Sequence, residues 1–244
     1  MAILDFPAPL LTWFDVHAAA AVPATLRLVI WGAIGALVSM GLYVLLSPQG
    51  RIAQGKRELA EARQRLDAYD GDFAGGWPLI KAMLGVALRQ VGRVSLPAIV
   101  ASLPLLSLLV WVSTSFAYAY PPRGETPVIH TSPPHLNTRW VPPPAGSSQP
   151  PHVLVADSGM QQMIADIPLA APVPVVHKRQ WWNAMWGNPA GYLGADKPLD
   201  WVRVELPRQH YLGFGPEWLR GWEFTFFASL VAVSVIVKVV AKIE

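Results

Sequence analysis

The chain has 244 residues, of which 52% are hydrophobic and only 14% charged, a balance too apolar for an ordinary soluble domain. Its formal net charge of +3 is too modest to point to nucleic acid as a partner. The absence of cysteine excludes disulfides, thiolate metal ligands and cysteine nucleophiles together.

Residues 1–26 contain no Lys or Arg, so they lack the basic start of a secretory signal; no cleavage is expected, and they read as an outer N-terminal segment. Three stretches then carry no charge: Leu28 to Leu46, Val94 to Tyr118 and Phe224 to Val237. The first two approach or exceed the roughly 20 apolar residues a helix needs to cross hydrocarbon, and the third reaches that length with its flanks. The predicted transmembrane helices are therefore 27–47, 94–118 and 218–240, with Pro97 and Pro104 expected to kink the second. The span serines are expected to bond to their own helix backbones.

The 48–93 connector holds Arg51, Lys56, Arg57, Arg63, Arg65, Lys81, Arg89 and Arg93, whereas the chain before Arg27 offers only Asp5 and Asp15. The excess of cations places the connector in the cytoplasm. The predicted topology is N-terminus out and C-terminus in, in a bacterial inner membrane. Residues 119–217 are then periplasmic, Lys238 and Lys242 lie at the inner end, and 241–244 form a cytoplasmic tail. Trp218 and Trp222 fall at the outer interface, and Lys238 can snorkel to the inner one.

Within the connector, Ser47 and Pro48 suit an N-cap and a first-turn proline. Ile52, Leu59 and Leu66 recur every seven residues, with Ala62 and Tyr69 three after the later two. Fewer than three heptads favours a short amphipathic helix lying on its neighbours over an autonomous coil. The turn residues Asp70, Gly71, Gly75, Gly76 and Pro78 precede a second helix, Leu79 to Val94. There Lys81, Gly85, Arg89 and Arg93 repeat every four residues, so this helix is expected in the inner interface with its cations toward lipid headgroups.

The outer segment holds most of the 24 prolines, which favour extended chain over helix. His152 to Val155 and Trp201 to Leu206 are brief strand candidates, the second with Trp201, Arg203 and Glu205 alternating with Val202, Val204 and Leu206. The fold class is accordingly a mainly α membrane protein: three transmembrane helices, a cytoplasmic helical connector, and a Pro/Trp-rich outer segment with little regular structure beyond a small β lobe. The rings of Trp140, Trp181, Trp182, Trp186 and Trp201 suit a partner-binding surface, where such anchors are enriched, and equally suit the lobe's core or an interface belt. The membrane-interface residues are Lys81, Arg89, Arg93, Trp218, Trp222 and Lys238.

No catalytic motif emerges. All six histidines lie outside the spans, and His130 and His135 are five apart in proline-rich chain rather than on one helix face. Gly213-Phe214-Gly215 lacks the strand and helix that would make it a phosphate cradle. No enzyme activity, cofactor or metal is expected, and no small-molecule substrate. The expected partners are other membrane-protein subunits and the lipid bilayer.

Ser47-Pro48-Gln49 opening a basic helix through Leu66, the amphipathic run before Pro97, and Trp222 with Phe226-Phe227-Ala228-Ser229-Leu230 and Lys238 give a layout that resembles the YidC/Oxa insertase superfamily. The likeness is to its reduced three-span prokaryotic members that carry a large outer segment. It covers about half the chain through loose, topological motifs. The resemblance implies insertion or chaperoning of other membrane proteins through a hydrophilic groove. The apolar stretches Leu28 to Leu46, Val94 to Tyr118 and Phe224 to Val237, however, carry no Lys, Arg, Asp or Glu, and an intramembrane charge is the usual marker of function. The sequence therefore favours a non-catalytic accessory or scaffold subunit of a large inner-membrane complex. Energy-transducing complexes, photosynthetic or respiratory, are the analogy.

Overall fold

The computed structural model describes residues 2–19, 21–144, 146–147, 149–157 and 162–241; Lys242 and the rest of the expected tail lie outside them. The helices are α1 (Ala8–Ala19), α2 (Ala24–Leu46), α3 (Gln49–Asp67), α4 (Phe73–Phe116), α5 (Glu217–Arg220) and α6 (Trp222–Val240). Between α4 and α5 lie six strands: β1 (Ile129–Ser132), β2 (Asn137–Val141), β3 (His152–Ala156), β4 (Met163–Pro168), β5 (Val175–His177) and β6 (Trp201–Val204). A single 3₁₀ turn, Trp181–Ala184, separates β5 from β6. Helices α2, α4 and α6 are long and apolar enough to cross a membrane. The chain forms two compact units, Met1–Leu28 with Ser107–Phe226, and Val29–Leu106 with Phe227–Glu244.

The second unit is helical. Its α3 begins one residue later than expected: Pro48 occupies the N-cap position and its carbonyl accepts from the amides of Arg51 and Ile52, while Ser47 still closes the preceding turn on Tyr43. Proline has no amide to lose there, which is why it suits the junction. The seven-residue repeat faces α4, with Ile52 fully buried and Leu59, Ala62 and Leu66 half-buried. The Gln90 amide donates to the Ile52 carbonyl at 3.1 Å, so α3 and the first half of α4 run antiparallel.

The expected interfacial helix is not a separate element. Asp72 accepts from the Gly75 amide at 3.2 Å, which caps a helix at Phe73 that runs 44 residues through Pro78, Pro97 and Pro104 without interruption. Each proline withholds one backbone bond, yet the surrounding Leu, Val and Ala keep the helix continuous. At 1.5 Å per residue it is about 66 Å long. It runs continuously into the apolar stretch from Val94, with no turn between the two halves. Ser102, Ser113 and Thr114 bond to carbonyls of their own helix, as expected. Ser39 and Ser229 do not: Ser39 donates to the Ala101 carbonyl of α4 at 3.1 Å and Ser229 to the Val29 carbonyl of α2 at 2.7 Å.

In the first unit the outer segment is more regular than its composition suggested. Two antiparallel three-stranded sheets, ordered β1-β6-β5 and β2-β3-β4, share one core of Trp140, Val153, Val155, Ile167, Val176, Val202 and Val204 among others. Both strand candidates are present, and β6 alternates as read, with Val202 and Val204 buried and Arg203 outside. The proline runs lie ahead of β1, at Pro121-Pro122, and in the β1–β2 and β2–β3 connections, where no ladder amide is needed, so they frame strands instead of excluding them. The last apolar helix, α6, starts later than the expected 218–240. Gly221 is extended, at φ −67° and ψ 170°, and separates the single turn of α5 from α6.

Candidate interaction surface

The sequence reading missed α1. Residues 2–5 precede it and pair with the tryptophan-rich 3₁₀ turn, the Ile3 amide donating to the Ala184 carbonyl and the Leu4 amide to that of Met185. Asp5 lies in the same corner, where burial raises its carboxyl above the ordinary range against a lowering hydrogen bond from the Gly187 backbone. One side of α1 is tied down: Thr12 accepts from the Trp111 indole at 2.9 Å, and Asp15 pairs with Arg27 at 2.5 Å. The Arg27 guanidinium also lies 5.5 Å from the Phe116 ring centre. The other side exposes Leu10, Trp13, Phe14 and Val16. Its apolar composition resembles the spans, and the only available signal for it was that composition.

The five partner-candidate tryptophans part company. Trp140 is 8% exposed and belongs to the lobe's core, so its ring is not offered to a partner. Trp182 and Trp201 converge on His177: Trp182 lies 5.1 Å away ring to ring, and Trp201 is the cross-strand partner of His177 in the β5–β6 ladder. The Trp201 ring is stacked by the Arg203 guanidinium. Trp181, at 85% exposure, and Trp186 project from the same 3₁₀ turn and its end. This turn is held by reciprocal bonds, with Asn183 accepting from the Gln180 amide at 2.6 Å and donating to the Trp186 carbonyl at 3.1 Å. An ordered, exposed aromatic ridge results.

No family model, curated protein or solved structure matches the chain. The surface must be read from its own chemistry.

Among the membrane-interface candidates, Trp222 is 8% exposed, its ring tilted against that of Phe226 with centres 6.2 Å apart. Trp218, 71% exposed, stays outside on α5. Lys238 lies in the last turn of α6. On α4, Arg93 and Arg89 are one and five residues before Val94, whereas Lys81 is about 20 Å before it along the helix and sits over the Trp77 ring. Only the two arginines remain close to the start of the apolar run. Between α3 and α4 a groove of about 650 Å³ is lined by Leu59, Leu66, Met83 and Leu84, with Lys56 and Arg63 at its rim.

A second cavity, about 820 Å³, opens beyond the end of α4 and the start of α6. Its walls are Ala117 and Tyr118, the segment Pro207 to His210, and Glu217, Trp218 and Gly221 to Glu223. They are braced by backbone pairs, Ala119 to the Pro207 carbonyl and Gln209 to that of Ala117, both at 3.0 Å. The buried Tyr211 hydroxyl donates to the Phe116 carbonyl at 2.8 Å, and desolvation raises its pKa well above the usual phenol range. In the lobe, His130 and His152 each meet one carboxylate, Glu205 at 2.9 Å and Asp166 at 2.7 Å.

Proposed function

We propose that the chain is a multi-pass protein of a bacterial inner membrane that serves as a non-catalytic accessory or scaffold subunit of a larger complex. In this reading α2, α4 and α6 are the spans, the N-terminus and lobe face the periplasm, and the α3–α4 connector faces the cytoplasm. The observation that carries it is the use of span polarity: Ser39 and Ser229 spend their hydroxyls joining one helix to the next. Small polar side chains used this way hold helices to helices in lipid rather than line a water-filled path. Outside, the fixed aromatic ridge of Trp181, Trp182, Trp186 and Trp201 supplies anchors of the type enriched at protein interfaces. An energy-transducing complex, photosynthetic or respiratory, is the host proposed by analogy.

A second reading, a YidC/Oxa-like insertase or chaperone, is favoured by one feature. A basic antiparallel helical pair with an apolar groove follows the first span, as the resemblance implies. Two measurements separate these readings and test their common basis. Cysteines introduced singly at Gln64 and Ser147 should be labelled from opposite sides of the membrane; labelling from one side rejects the topology. Extraction in mild detergent should then recover one fixed set of partners at constant stoichiometry. A changing population of unrelated spanning proteins would favour the insertase.

A further inference from the structure

The cavity beyond α4 and α6 gathers ionisable groups of both signs. Arg208, His210, Glu217 and Glu223 all line it. Among the described residues none of the four has a hydrogen-bond or ion-pair partner. Their neighbours contrast with this. Gln209 donates to the Tyr118 carbonyl, and Arg220 donates to the Gly215 carbonyl at 2.7 Å. Gln209 and Arg220 are thus bonded within the fold, while the four exposed ionisable side chains at the cavity make no such bond among the described residues.

The position of the cavity narrows the ligand. It lies at the ends of two helices apolar enough to cross a membrane, and Trp218 on its rim packs edge-on against Phe224 at 6.3 Å. An amphiphile can lay its apolar part along such rings while its polar head enters the cavity. A head that pairs with both signs must carry an anion for Arg208, with a hydrogen bond to the His210 ring, and a hydrogen-bonding cation for Glu217 and Glu223. A phosphodiester with a primary ammonium meets this requirement. A choline head has no N–H to donate, and a glycerol head has no cation.

We propose that this cavity binds the phosphoethanolamine head of a zwitterionic phospholipid in the outer leaflet. The proposal rests on the membrane reading above. It makes the cavity the place where the lobe is held to the bilayer surface by a specific lipid.

The test uses the full chain in mild detergent and native mass spectrometry, with phosphatidylethanolamine, phosphatidylcholine and phosphatidylglycerol of identical acyl chains. Phosphatidylethanolamine should bind about tenfold more tightly than either competitor, the effect of one or two charge-assisted bonds. The double variant Glu217→Gln with Glu223→Gln should lose that preference. Arg208→Gln should weaken all three lipids, since each retains the phosphodiester. All three positions are exposed, and unchanged tryptophan emission would show that each variant keeps its fold. Free O-phosphoethanolamine distinguishes the source: binding as tight as that of the lipid would overturn the phospholipid in favour of a soluble ligand. Equal adducts with all three lipids would overturn the site while leaving the membrane reading standing. No lipid adduct, together with no partition into vesicles, would overturn both.

Discussion

The Asp15–Arg27 pair should act as the clasp that holds α1 on the ends of α2 and α4. Its side chains are 13% and 18% exposed, far from the solvent-screened pairs that contribute little. Removing one member of a largely buried pair leaves the other charge uncompensated, at a cost of about 3 kcal/mol, the lower end for such pairs because a little solvent reaches this one. Asp15→Asn keeps the shape and removes the charge; Arg27→Met removes the other partner. The consequence is local, because the bond from Trp111 to Thr12 and the two backbone bonds to the 3₁₀ turn remain. Amide hydrogen exchange over α1 reads it directly: each single variant should speed exchange about a hundredfold, at 1.36 kcal/mol per decade. The double variant Asp15→Asn with Arg27→Met should exchange no faster than either single, because no bare charge is left in the corner. Exchange altered less than about fivefold in the singles, or effects that simply add in the double, would show that the pair is screened and that the clasp argument is wrong.

Trp140→Ala should destabilise the lobe by about 3–5 kcal/mol, seen as an early thermal transition, because it opens a cavity between the sheets. Trp181→Ala should shift the same transition by about 0.5 kcal/mol or less; a large effect would mean that Trp181 supports the fold rather than the surface. Tyr120 donates to the Leu169 carbonyl at 2.6 Å, and desolvation pushes its pKa from 10.0 up to about 12. With the folded value raised, its contribution is complete below about pH 10 and is lost as pH rises toward about 12. Unfolding midpoints measured across that window should therefore fall, and Tyr120→Phe should flatten the slope; an unchanged slope in that variant would assign it elsewhere.

What could be read from sequence follows the reach of each physical signal. Three uncharged runs needed only local composition, and α2, α4 and α6 cover them. The heptad of Ile52, Leu59 and Leu66 marked a buried face because helical periodicity is local too. The partner of that face could not be read. Pro78 and the glycines before it suggested a break, whereas Asp72 starts the helix ahead of them and tertiary packing carries it onward. Ser39 and Ser229 posed the same difficulty: a serine can bond to its own helix or to a neighbour, and only the approach of the neighbour decides. The lobe was underestimated because proline content was weighed over the whole segment, while strands formed in the short intervals between proline pairs.

Charge supplied the other distinction that composition hides. The chain spends several of its outer ionisable groups on itself: Asp15 with Arg27, His130 with Glu205, His152 with Asp166, and Lys178 with Asp200 at 3.2 Å. In sequence these residues look no different from Arg208, His210, Glu217 and Glu223. Each set is scattered, and each mixes both signs. Pairing within the fold engages the first set, so those residues have little left to offer a ligand. The second set lines one cavity and, among the described residues, makes no such pair. Function in a chain without catalytic motifs is therefore best sought where the fold collects polar groups without consuming them.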